Sequence, residues 1–183
     1  MRYPDPKPML PPMLLIVCPL SQLERVIATR VPSHLVTLMD PASLIATPDG
    51  VAAEHHLKLG VNDVVEAVEG RVCPDAATVE TLLAFGRGWD AARPLVVHCW
   101  AGISRSTASA FTLACERNPG VPELEIARAL RRASARAHPN RRIVALADDL
   151  LGRGGRMVDA VEAIGPGAVA EENEPFDLPV RYP

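Results

Sequence analysis

Apolar residues along this chain fall into short runs with two different rhythms. Leu14-Leu15-Ile16-Val17-Cys18 is continuous and apolar, the pattern of a strand buried on both faces of a sheet. Met13–Cys18 is therefore read as the first strand, with residues 1–12 as a loose N-terminal arm. His34–Met39 and Leu95–His98 repeat the pattern, and His55–Leu59 is a shorter strand of alternating character. Between them the spacing is helical. Ser21 through about Arg30 predicts a helix, with Ser21 and Glu24 at capping-box spacing. Val61–Glu69 predicts a short helix. Pro74 opens another through about Arg87, because proline suits the first helical position. Ile103–Arg117, Pro122–Arg132, Asn140–Leu151 and Met157–Ile164 predict four more. Asp40-Pro41, Pro48-Asp49-Gly50 and Asn118-Pro119-Gly120 punctuate the pattern as turns.

Strands alternate with helices early, and helices dominate late. That order predicts an α/β fold: a single domain with a mainly parallel central sheet of four to five strands flanked by helices. The domain is expected over residues 13–164. From Gly165 onward glycine, proline and glutamate dominate, so residues 165–183 are expected to be a mobile tail or a strap across the surface.

Composition narrows the class. A chain of 183 residues, 48% hydrophobic and 22% charged, suits one ordinary globular domain. The net charge of −3 is unevenly spread. Residues 98–156 carry 10 basic and 5 acidic groups, whereas residues 157–183 carry 1 basic and 6 acidic. A basic middle suits an anionic substrate, and the two blocks could attract each other. Few lysines and no interleaved aromatics argue against nucleic acid. Arg2 and Lys7 before Met9–Leu20 faintly suggest a leader, but Pro8, Pro11, Pro12 and Pro19 interrupt it. No apolar run reaches the roughly 18 residues of a membrane span, so no membrane partner is expected. Cys18, Cys73, Cys99 and Cys115 have no metal-ligand spacing and are too scattered for a disulfide scaffold. A reducing cytoplasm and no metal or cofactor are the expectation.

The densest chemistry lies at His98-Cys99-Trp100-Ala101-Gly102-Ile103-Ser104-Arg105-Ser106, after an apolar strand and before a small-residue helix. In such a strand-to-helix turn, backbone N–H groups can face inward and bind phosphate oxygens, helped by the positive end of the helix. The same field favours a thiolate at Cys99. Arg105, where the loop closes, can bind two oxygens with its planar fork. The stretch resembles the His-Cys-x5-Arg-Ser/Thr signature of the cysteine-dependent protein tyrosine phosphatases, including the Ala-Gly pair inside the loop. The resemblance covers roughly residues 34–151 and implies a protein tyrosine phosphatase-like fold. It also implies that Ser106 donates a hydrogen bond to the departing thiolate. His98 is expected to hold the loop and tune Cys99. Trp100, Ala101, Gly102, Ile103, Ser104 and Arg105 form the substrate-binding loop, with Trp100 either lining the pocket or packing beneath it. Ser104 and Thr107 are read as structural.

A thiolate displacement also needs a proton for the leaving oxygen. Asp63, after a short strand and 36 residues before Cys99, resembles the general acid of the small dual-specificity branch. The aromatic-proline-aspartate loop of the large classical enzymes is missing. Asp40 and Asp49 read as turn formers and Asp90 as support for a strand edge. His138-Pro139-Asn140 resembles the Pro-Asn that opens a late helix behind the loop, the asparagine acting as cap. Arg132 and Arg136 stand where the family often has an extra arginine, though a solvated helix face accounts for either. Cys18, Cys73 and Cys115 read as packing residues.

The expected activity is hydrolysis of phosphate monoesters through a cysteinyl-phosphate. The expected substrate is protein phosphotyrosine, with phosphoserine or phosphothreonine also open, or a small phosphate monoester. An inositol or lipid phosphate is an alternative, lessened by the absence of lysine from the loop. A sulfurtransferase or arsenate reductase with a similar loop, and a silent phosphoprotein-binding module, are further alternatives.

Overall fold

Three largely apolar strands and one of alternating character build the sheet: β1 (Leu14–Pro19), β2 (His34–Met39), the alternating β3 (His56–Gly60) and β4 (Leu95–Cys99). They run parallel in the order β3-β2-β4-β1, so β4 lies in the interior of the sheet. Parallel strands need crossovers, and the helical segments supply them. The computed structural model describes residues 13–182, so the arm expected over 1–12 lies outside the described residues.

The fifth strand corrects the sequence reading. Residues 165–183 read as a mobile tail or a surface strap, but Phe176–Pro179 (β5) pairs antiparallel with β1 as part of the sheet, with Val17 opposite Phe176 and Leu15 opposite Leu178. The glycine, proline and glutamate around it mask a two-residue alternation. Phe176 and Leu178 point into the core, while Asp177 points out to Arg30, 2.8–2.9 Å away.

Alternation along the strands makes two cores. Leu15, Val17, Val97 and Cys99 face α2 (Ala76–Gly88), α3 (Arg105–Arg117), α4 (Glu123–Ala133), α5 (Arg141–Leu150) and α6 (Arg156–Ala163). Ile16, Cys18, Leu35 and Val96 face α1 (Leu23–Arg30), with Leu20, Ile45 and Val51 packed alongside. Helix α3 lies against the sheet because Ser106, Ala108, Ser109 and Ala110 are small; every residue from Arg105 to Cys115 is buried.

Three local expectations change. Helix α1 begins at Leu23 after a short 3-10 turn, and Ser21 makes no cap; its hydroxyl donates to Glu172 at 2.8 Å. Val61–Glu69 is not a helix. The Asn62 N–H donates to the Val72 carbonyl and the Asn62 side chain accepts from the Val72 N–H, both at 2.8 Å, closing the segment into a loop. Its Val65 and Val68 are half-exposed, so the apolar pattern has no core to face. Pro74 stands one residue before the cap of α2, where the Asp75 carboxylate accepts from the Thr78 N–H. Among the described residues, no helix is long and apolar enough to cross a membrane.

Candidate active site

Cys99 ends an interior strand, and α3 starts six residues later. The loop between them is held from outside by its carbonyls. Trp100 O accepts from the Leu20 N–H, and Ala101 O from the Asn173 N–H. Gly102 O accepts from the Asn173 side-chain amide at 3.0 Å. Ile103 O accepts from the His138 N–H, and Ser104 O from the N–H groups of Asn140 and Ala108. A trans peptide sets its N–H opposite its C=O. With the carbonyls of 100–104 bound outward, the amides of Ala101, Gly102, Ile103, Ser104 and Arg105 turn inward, and none of them has an acceptor among the described residues. Five convergent donors at a helix N-terminus are a receptor for an oxyanion.

The loop can bend this way because of Gly102. Its φ is +68°, and an added Cβ would lie 2.7 Å from the Pro19 nitrogen and 2.8 Å from the Cys18 carbonyl carbon. Cys99 itself is 2% exposed. Its Sγ lies 3.1 Å from Ser106 Oγ, so a hydroxyl is ready to donate to a sulfur anion.

Arg105 is buried, yet one edge of its guanidinium is unused. Nη1 donates to the Val61 carbonyl at 2.8 Å and to Asp40 Oδ1 at 3.1 Å. Nε is buried without a partner, and Nη2 makes no hydrogen bond among the described residues. The anchored Nη1 fixes the plane and leaves the Nε–Nη2 edge for two oxygens of a ligand. Asp40, expected as a turn former, is therefore an anchor of the arginine. No spacing rule links residues 65 positions apart.

Asp63 has one occupied and one unoccupied oxygen. Oδ1 accepts from Ser104 Oγ at 2.7 Å and from the Asn140 side-chain amide at 2.8 Å, while Oδ2 has no partner among the described residues. Ser104, read as structural, thus ties the loop to Asp63. Asn140 caps α5 as expected, accepting from the N–H groups of Arg142 and Ile143, and also positions Asp63. His98 is fully buried, and burial pushes its imidazole down to about 4. Trp100 does not pack beneath the loop: it is 60% exposed and, with Ala101, lines a groove beside Glu171 and Glu172. Among the described residues Asp49 and Asp90 make no hydrogen bond to these groups; Asp90 accepts from the Ala92 N–H. Arg136 donates to the Glu172 carbonyl, on the segment that carries Asn173. Asn173, more than nine-tenths buried, carries no mark in the sequence because it lies among tail-like residues.

No protein-family model matches the chain, and no curated protein sequence matches it. Solved structures do. Human DUSP28 aligns with a TM-score of 0.57 at 20% identity, over 79% of this chain and 94% of that one. PTPMT1 in complex with PI(5)P aligns at 0.58 and 14% identity, over 77% and 92%. Human tyrosine phosphatase-like serine/threonine/tyrosine-interacting protein aligns at 0.60 and 18%, over 76% and 91%. The chain has the fold of the small dual-specificity phosphatases. Within that phosphatase fold, the five-strand sheet and the mainly parallel topology agree with the sequence reading. The loop after Cys99 sits at the carboxyl end of a strand, where open α/β sheets bind ligands.

Proposed function

We propose that this protein is a cysteine-dependent phosphatase that hydrolyses phosphate monoesters, with protein phosphotyrosine as its principal substrate. The observation that carries the reading is the loop after Cys99, whose outward-tied carbonyls leave five amides without acceptors among the described residues, next to the unused edge of Arg105. Such a site suits a tetrahedral dianion and stabilises the charge that spreads over the equatorial oxygens in phosphoryl transfer. Sγ of Cys99 attacks phosphorus as the ester P–O bond breaks. Asp63 gives the leaving oxygen its proton, carried on the free Oδ2. Water then attacks the cysteinyl-phosphate and yields its proton to Asp63. The S–P bond breaks, and Ser106 donates to the released thiolate.

Two features favour an aromatic ester over a polyphosphate. A cleft of about 710 Å³ runs beside Asp63 and Ser104, with Val65 and Val68 as an apolar wall for a phenyl ring. Glu171 and Glu172 line a second groove next to Trp100 and would repel further phosphates. The structurally similar PTPMT1 holds PI(5)P, so a phosphoinositide is the competing substrate. The chemistry requires no cofactor, and four free cysteines with a thiolate nucleophile suit a reducing cytoplasm.

The test is turnover of para-nitrophenyl phosphate, a phosphotyrosine peptide and inositol phosphates. Wild type should turn over the first two fastest, and Cys99→Ser should be inert on all. Asp63→Asn should lose the basic limb of the pH–rate profile, where the general acid gives up its proton, and lose most turnover of esters with poor leaving groups, by about 10²-fold. Phosphopeptide binding without turnover by wild type would make the protein a binding module. An unchanged profile in Asp63→Asn would remove Asp63 from the mechanism.

A further inference from the structure

Behind the loop, on the α1 side of the sheet, polar side chains form an unbroken line. His98 Nε2 lies 2.7 Å from Thr37 Oγ1, and Thr37 Oγ1 lies 2.7 Å from His56 Nε2. His56 Nδ1 lies 2.9 Å from Thr47 Oγ1. Sheet register builds the line. Thr37 of β2 stands opposite His98 of β4, and β3 brings His56 alongside. Thr37 and His98 are 0% exposed and His56 is 8% exposed, so each polar atom left unpaired here carries a desolvation cost. No step of the proposed reaction uses Thr37 or His56.

Proton counting fixes the direction of the line. Burial pushes both imidazoles down to about 4. The charged groups that face them reinforce this: Lys58 beside His56, and Arg105 beside His98. Both rings are therefore neutral near pH 7, and each carries one N–H. The Thr37 hydroxyl has a single proton between two ring nitrogens. It donates to one Nε2 and accepts from the other, so the two rings hold opposite tautomers. His98 Nδ1 decides which. It has no hydrogen-bond partner among the described residues; with Nε2 taken by Thr37, it is the nitrogen left to face the Cys99 backbone, which favours the protonated ring. His98 Nε2 then accepts from Thr37. Thr37 accepts from His56 Nε2–H, and Thr47 donates to His56 Nδ1. Every O–H and N–H of the line points toward Cys99.

We propose that Thr37 and His56 are positioning residues for Cys99: the one-way line Thr47–His56–Thr37–His98 fixes the His98 tautomer and sets its N–H edge against the Cys99 backbone, which holds the thiolate. The proposal rests on Cys99 as the nucleophile, but its test needs no substrate.

Two measurements decide it. In wild type, ¹⁵N NMR of the ring nitrogens should show His98 protonated at Nδ1 and His56 protonated at Nε2. In a Cys73→Ser background, which removes the half-buried thiol, Cys99 alkylation by iodoacetamide is followed against pH. Thr37→Val should slow it about threefold to tenfold at pH 6, the size of one hydrogen bond, and move the midpoint of the profile upward. Thr37→Ser should restore the wild-type profile. A proton on His98 Nε2 or on His56 Nδ1 would overturn the proposal, and so would an unchanged alkylation profile in folded Thr37→Val. If Thr37→Val does not fold, the wild-type tautomers decide. A protein with these tautomers and no phosphatase turnover would defeat the proposed function and leave this inference standing.

Discussion

At the scale of single residues, the site depends on one backbone conformation more than on any one charge. Gly102 holds φ at +68° with the backbone of Cys18 and Pro19 against its Cα. A Cβ there meets main chain on a buried strand, which cannot swing aside as a flexible side chain can. Gly102→Ala should cost about 2 kcal/mol or more of stability, measured by denaturant unfolding, and should abolish protection by phosphate or vanadate. Cys18 belongs to the same scale. It stands opposite His98 in the β1–β4 ladder, so it points to the α1 face while Cys99 points to the other. Burial pushes its thiol up to about 12, and it remains a packing residue. The roles proposed for Cys99, Arg105 and Ser106 were legible because the motif is contiguous. Asp40 was not, because its only mark is its distance from the Arg105 guanidinium.

At the scale of elements, the helix caps do two jobs. Asn140 starts α5 with its carbonyl oxygen and holds Asp63 with its amide. Asn140→Asp keeps an acceptor for the cap, so thermal stability should stay within about 1 kcal/mol of wild type. The new carboxylate faces Asp63 and disfavours its ionised form, so the basic limb of the pH–rate profile should move to higher pH. A profile superimposable on wild type would show that Asn140 serves the helix alone. The strands and helices of the core were readable from period, since burial on two faces leaves a continuous apolar run and burial on one face leaves a helical stripe. The expected Val61–Glu69 helix failed because side-chain pairing of Asn62 with Val72 outcompeted it. Periodicity carries no trace of that competition.

At the scale of the whole molecule, the C-terminal segment completes the sheet and the loop. Residues 157–183 are acidic and residues 98–156 basic, which suggested an electrostatic tie. The ties found are mostly not of that kind: strand pairing with β1, Asn173 on the carbonyls of Ala101 and Gly102, and Arg131 on the Gly165 carbonyl. Deleting residues 166–183 should lower the melting temperature by about 5 °C or more and weaken phosphate binding. Full-length protein in 1 M salt should keep both, because hydrogen bonds within a sheet are not screened as surface charges are. If high salt reproduced the deletion, charge would be the tie after all.

The sequence by itself determined the strand, the Cys99 loop and the helix that follows, and with them the α/β class. These are local facts: neighbouring residues set the backbone, and a buried strand must be apolar. The tertiary structure alone decided which distant polar groups reach the loop. Asp40, Asn173, Thr37 and His56 sit 19 to 72 positions from the residues they hold. A polar residue bound to a loop and one bound to water are the same letter, and only the folded chain tells them apart.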